Sequence, residues 1–343
     1  MTSRTNGHEP TRYRARVLVT GAGGFIGHHL TKALVQHGYW VRGVDLKPPE
    51  YEPSAAHEFL LLDLRRLEGT LAACRGIDEV YNLAANMGGI GFIESHKAEI
   101  MHDSALINLH TIESARQCDV KRFLFTSSAC VYPGYRQRDA DVIPLRERDA
   151  YPADPEDGYG WEKLFMERQC RHYFEDYGLE TRVVRFHNIY GELGTYDGGR
   201  EKSPAAICRK IALAGDPGEI EIWGDGQQTR SYCHVSDCIE GLHRLMRSDH
   251  REPLNLGTDR LVSINELVEI VATIAGKRIT RRHDLTKPQG VRGRNSDNAM
   301  LRAVLGWEPE LSLEEGLART YRWIYGELRR AGRVPEAHDT VSA

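Results

Sequence analysis

Gly21-Ala22-Gly23-Gly24-Phe25-Ile26-Gly27 stands between a short apolar run, Arg16-Val17-Leu18-Val19, and a stretch with Ile26, Leu30, Ala33 and Leu34 at helical spacing. A glycine-rich turn that joins a strand to a helix constrains the fold more than any other segment. Glycine allows the tight turn and lets backbone approach a pyrophosphate, which then rests at the positive end of the helix. The context predicts a nucleotide-binding unit at the start of the chain, with Gly21, Gly24, Phe25, Ile26 and Gly27 against the ligand.

The alternation continues. Trp40 to Asp45, Phe59 to Leu62, Glu79 to Asn82, Arg122 to Ser127 and Thr181 to Phe186 read as further strands separated by helix-like patterns, the signature of a parallel sheet covered on both faces. After Tyr190-Gly191 the regularity weakens up to Arg230. Pro253 to Gly257 reads as a strand again, and Ile264 opens another helical pattern. The expected fold is α/β: a Rossmann-type doubly wound parallel sheet with a smaller, interleaved α+β substrate-binding lobe. Residues 16–187 with 230–258 are assigned to the dinucleotide domain and 188–229 with 259–330 to the substrate lobe. A disordered arm is expected over 1–15 and a loose tail over 331–343.

A formal net charge of -4 in 343 residues argues against nucleic acid as a partner. The longest apolar runs are strand-sized, far below the roughly 20 residues that span a bilayer, and the polar N-terminal segment lacks a secretory apolar region. No membrane association is expected, and the location expected is cytoplasmic. The seven cysteines form no C-x-x-C pair, so most are read as small buried hydrophobes. No metal site is expected.

Asp45 ends the second strand, where a carboxylate accepts hydrogen bonds from both adenosine ribose hydroxyls and repels a 2′-phosphate. NAD is therefore favoured over NADP. Asp63-Leu64, after the third strand, reads either as an adenine contact or as an exposed loop. Leu83-Ala84-Ala85 either lets backbone lie against the cofactor or serves packing. Tyr159 and Lys163, four apart on a predicted helix, project from one face. A tyrosine has a pKa near 10, and a neighbouring ammonium favours its phenolate, which can take a hydroxyl proton while hydride leaves the same carbon. Ser128 either hydrogen-bonds the reacting oxygen or caps the turn that follows its strand.

Two residues beyond Ser128 stands Cys130. Oxidation of a sugar at carbon 4 acidifies the hydrogens on carbons 3 and 5, and a thiolate can then remove one from one face. Inversion needs a donor on the other face, for which Lys202 is the candidate. A lone cysteine can equally be core, and a lone loop lysine solvated.

Beyond these single residues, Gly21 to Gly27, Met87 to Ile93, Ser127 to Pro133, Tyr159 to Lys163, Arg185 to Gly191, Gly199 to Pro204, Trp223 to Ser231 and Gly290 to Asn298 together resemble the GDP-mannose 3,5-epimerases, from about Arg16 to about Tyr325. The resemblance implies an extended short-chain dehydrogenase/reductase fold, tightly held NAD, a homodimer and GDP-mannose as substrate. It also implies that Tyr159 assists oxidation at carbon 4 while Cys130 and Lys202 exchange protons from opposite faces. Asn188, Arg230 and Arg292 fall at positions that grip the nucleotide diphosphate or sugar, and Gly89 and Ile90 in a loop that presses on the hexose. Arg294 and Asp297 are read as tying their segment together. Asn86 and Gln227 depart from the plant-type pattern, leaving open L-galactose, L-gulose or both as product sugar. The alternatives are a nucleotide-sugar 4-epimerase, which needs no thiol, and a non-catalytic NAD-binding regulator.

Overall fold

A computed structural model of the chain describes residues 13–88 and 90–334. Its strands are β1 Arg16–Thr20, β2 Trp40–Asp45, β3 Glu58–Leu61, β4 Glu79–Asn82, β5 Arg122–Ser128, β6 Glu180–Phe186 and β7 Ile189–Tyr190. There follow β8 Gly218–Trp223, β9 Thr229–Arg230, β10 Cys233–His234, β11 Leu254–Leu256, β12 Val262–Ser263, β13 Ile279–Asp284 and β14 Gly293–Arg294. The helices are α1 Phe25–Gln36, α2 Leu67–Cys74, α3 Ile90–Ser95, α4 Lys97–Gln117 and α5 Asp157–Tyr177, then α6 Ser203–Leu213, α7 Val235–Arg247, α8 Ile264–Ala275, α9 Ala299–Leu305 and α10 Leu313–Arg330.

Seven strands form one parallel sheet in the order β11-β6-β5-β4-β1-β2-β3. Successive side chains on a strand point to opposite faces, and the composition follows that rule. Val17, Val19 and Leu124 join the core under α1 and α7, while Leu18, Phe123 and Phe125 join the core under α2, α4 and α5. This is the doubly wound sandwich. The winding reverses between β1 and β4, so a crevice opens beyond their C-terminal ends, where α/β sheets bind ligands.

A second core gathers Ile207, Ile211, Leu267, Val271, Leu317 and Ile324 from α6, α8 and α10. Here the irregular reading of 191–230 needs correction, because that stretch contains α6 and β8. Glycine and charge flank both elements and obscure a four-residue apolar face, Pro204, Ile207, Cys208 and Ile211. The expected return to the first domain at 230 also lies too early. Arg230 pairs with β12 and β14 in a separate three-stranded sheet, and packing against the main sheet resumes with α7.

Both termini are anchored further out than expected. Arg14 N donates to Gly38 O and Trp40 N to Ala15 O, each at 3.0 Å, so the arm is already tied down at these residues. At the other end Val334 packs in the second core and Arg333 pairs with Asp197. Residues 1–12 and 335–343 of the expected arm and tail lie outside the described residues.

Candidate active site

The glycine turn after β1 is a cradle that side chains would fill. Gly21 has φ +71°, and a Cβ on Gly27 would lie 2.1 Å from the carbonyl oxygen of Gly21. Gly21, Gly24 and Phe25 line a cavity of about 630 Å3, together with Asp45, Asp63 and Leu64. Ile26 instead packs on the sheet core, and Gly27 supports the turn from behind. Asp45 is held at its strand end by the amides of Gly23 (3.0 Å) and Leu46 (2.6 Å). Glycines that let backbone close in, followed by a fixed carboxylate at the end of β2, fit the pyrophosphate and ribose of a dinucleotide.

Asp63 is less free than expected. Arg65 grips its carboxylate at 3.0 and 2.9 Å and holds it below the usual range, while also reaching Asp103 at 3.0 Å. The side chain of Leu64 belongs to the sheet core.

Beyond β5 the chain turns through a single 3-10 turn, Ala129–Val131. Ser128 Oγ accepts from the Cys130 amide at 3.2 Å, the capping role, and also hydrogen-bonds the Tyr159 phenol. Gly160 lets α5 come close, because a Cβ there would lie 2.3 Å from Cys130 O. Tyr159 and Lys163 are both buried. Burial pushes the Tyr159 phenol up, Cys130 and Glu162 add to that, and the Ser128 hydrogen bond pulls it down. The Lys163 ammonium lies 5.5 Å from the Tyr159 ring centre and 4.0 Å from Glu162 Oε2, so its field is shared with a carboxylate. Burial lowers the Lys163 ammonium, with Glu162 the leading opposing influence.

Cys130 is the point on which the other groups converge. Tyr159, Lys163, Lys202 and Arg230 all lie close enough to interact with its charge. Arg294 Nη1 is 3.7 Å from its sulfur. Lys202 is the N-cap of α6, and the residue is exposed. Partial desolvation lowers its ammonium, and Cys130 opposes that.

The remaining candidates are more dispersed. Asn188, at φ +45°, donates to Ser231 O at 2.9 Å. Arg230 donates to Thr229 O at 2.7 Å. Arg292 bonds Asp225 at 2.8 Å, so a phosphate would have to share that guanidinium. Gly89 lies outside the described residues, as does the side chain of Ile90, whose backbone opens α3.

Two residues at the site escaped the sequence reading. Arg294 was assigned to tying its segment, and it does bond Gln137 at 2.6 Å and pair with Glu156, but it also touches the thiol. Tyr51, in the loop after β2, lines the cavity and packs edge-on against Trp323 of α10 at 4.9 Å. The signal available for it was a lone aromatic between glutamates.

Residues 17–257 match the model of the NAD dependent epimerase/dehydratase family, more than half of the chain. The chain belongs to that family. Within it, this epimerase/dehydratase member is 47% identical over 319 residues to GDP-mannose 3,5-epimerase 1 of Oryza sativa subsp. japonica, covering 92% of this chain and 83% of that one. Among solved structures it is similar to UDP-glucose 4-epimerase of Thermotoga maritima, with TM-score 0.82 and 26% identity over 91% of this chain and 99% of that chain. The UDP-glucose 4-epimerase of Thermus thermophilus in complex with NAD is similar at TM-score 0.79 and 25% identity, over 91% of this chain and 99% of that one.

Proposed function

We propose that this chain binds NAD and epimerises GDP-mannose at carbons 3 and 5 through a transient 4-keto sugar, giving GDP-L-galactose, GDP-L-gulose or both. The observation that carries the reading is the position of Cys130: a thiol beside the Ser128, Tyr159 and Lys163 group, ringed by Lys202, Arg230 and Arg294. A 4-epimerase has no use for such a thiol. The near-half identity with the rice enzyme supports the same substrate.

The glycine turn and Asp45 hold the cofactor, and the carboxylate favours NAD over NADP. Asp63 and Leu64 flank its adenine end. The chemistry that bound NAD supplies is reversible storage of the carbon-4 hydride. Tyr159 Oη takes and returns the carbon-4 hydroxyl proton, with Ser128 Oγ bonded to the same oxygen and Lys163 holding the nicotinamide ribose. Once carbon 4 is a ketone, Cys130 Sγ removes a proton from carbon 5 or 3 on one face and Lys202 Nζ delivers one to the other. A lowered ammonium makes that delivery easier near neutral pH. Asn188, Arg230 and Arg292 grip the nucleotide diphosphate, and Gly89 with Ile90 bounds the hexose. The substrate lobe in this reading runs over 188–234 with 259–298 and 308–330, while α9 packs through Leu301 in the core of the main sheet.

A homodimer accompanies this reading, supported by the exposed Trp161 (46%), Phe165 (45%) and Met101 (43%) along α4 and α5. No described helix is long and apolar enough to cross a membrane, and the cytoplasm is the proposed location. Incubation with GDP-mannose, and separately with UDP-glucose, followed by separation and proton NMR of the sugars, tests the function. GDP-L-sugars from GDP-mannose alone are expected. Interconversion of UDP-glucose and UDP-galactose with inert GDP-mannose would replace the reading with a 4-epimerase.

A further inference from the structure

Glu162 is 1% exposed on α5 and takes no part in the proton transfers above. Burying a carboxylate is costly unless hydrogen bonds and a countercharge compensate it. Both are present here. Oε1 accepts a 2.6 Å hydrogen bond from Asn108 Nδ2 of α4. Oε2 has no hydrogen-bond partner among the described residues and lies 4.0 Å from the Lys163 ammonium.

Behind Asn108 the bonds continue. Asn82 Nδ2 donates to Asn108 Oδ1 and Thr20 Oγ1 to Asn82 Oδ1, each at 2.8 Å. Every donor in the series points towards the carboxylate, the polarity that an ionised, acceptor-only group demands, and aligned bonds polarise one another. Thr20 Oγ1 in turn accepts from the amides of Leu83 (3.0 Å) and Ala84 (3.1 Å) in the wall of the nucleotide cavity.

We propose that Glu162 is a positioning residue for the reaction, whose carboxylate keeps buried Lys163 charged and, through Asn108, Asn82 and Thr20, fixes that ammonium relative to the cofactor cavity. The inference rests on the function proposed above. Glu167 and Cys170 of the same helix and Cys130 of the turn after β5 also face Lys163, but they act on its charge behind Glu162. The same carboxylate raises the Tyr159 phenol, after burial and Cys130. Removing its charge therefore lowers the ionisations of Lys163 and Tyr159 together.

Glu162→Gln keeps the shape and an acceptor for Asn108. Its kcat for GDP-mannose epimerisation is measured against pH beside wild type, with NAD retained through gel filtration quantified in parallel. Both limbs of the profile are expected to move to lower pH, with KM unchanged and NAD retention reduced. Glu162→Gln combined with Asn108→Asp keeps every hydrogen bond and moves the charge one residue from the ammonium. It is expected to show a smaller displacement, and it serves as the test if the single variant does not fold. Limbs superimposed on wild type in a folded variant overturn the inference even if turnover falls, because lost packing scales a profile without moving it. Failure of both variants to fold assigns Glu162 to stability alone and also overturns it. A wild type inert to GDP-mannose overturns the functional reading instead, and unchanged NAD retention in the variants then counts against the Glu162 role by itself.

Discussion

Arg294 Nη1 lies 3.7 Å from the sulfur of Cys130, although 164 residues separate the two in the chain. The contact depends on β14 pairing in register with β9, which sets Arg294 beside Arg230 and aims its guanidinium at the turn after β5. Arg294 also pairs with Glu156 and bonds Gln137. Arg294→Met is expected to slow epimerisation at least tenfold and to cost about 1.5–3 kcal/mol of stability, the usual contribution of a hydrogen bond to a charged group. Urea denaturation and product NMR check the two effects separately.

The proposed carrier of the carbon-4 proton is Tyr159, with Ser128 supporting the same oxygen. Tyr159→Phe is expected to lower kcat by about 10²–10⁴, the span of a single acid/base group, with the larger loss in that variant than in Ser128→Ala. Steady-state turnover of GDP-mannose by the two variants checks the order.

Arg185 and Glu167 form a bidentate pair at 2.8 and 2.6 Å with both side chains buried. Removing one partner strands the other charge in the core. Arg185→Met is expected to destabilise by about 3–5 kcal/mol, and Arg185→Met with Glu167→Met to recover much of that. Urea midpoints of the three proteins test it.

Burial pushes the His187 imidazole down to about 4, the nearby Arg185 adds to this, and the Asn255 hydrogen bond opposes it. The folded protein keeps this ring neutral while the unfolded chain protonates it near 6.5, so the unfolded state binds more protons between those values. The stability it contributes is complete above pH 6.5 and falls by about 3 kcal/mol as pH drops towards 4. His187→Gln is expected to flatten the decline in thermal midpoint across that window, as read by calorimetry.

The doubly wound sheet was legible because strands buried on both faces are written as apolar runs, such as Val17-Leu18-Val19, punctuated by a glycine turn that joins β1 to α1. Tyr159, Lys163, Ser128 and Cys130 were legible because two short segments hold all four. Three features were not. α6 is hidden between glycine-rich and charged flanks, and its apolar face declares itself only against α8 and α10. The Arg294 contact with Cys130 needs a strand pairing that no local pattern encodes. The series from Thr20 through Asn82 and Asn108 to Glu162 draws on β1, β4, α4 and α5, and no one of these residues is unusual alone.

Cys130 and Lys202 are proposed to move carbon-bound protons beside a carbon-4 ketone. Incubation of the enzyme with GDP-mannose in deuterium oxide, with Cys130→Ser alongside and the sugar followed by proton NMR, tests it directly. Deuterium at carbons 3 and 5 in L-sugar products, abolished in Cys130→Ser, is the expected result. Epimerised product with no carbon-bound deuterium, or full labelling in the variant, would overturn that assignment.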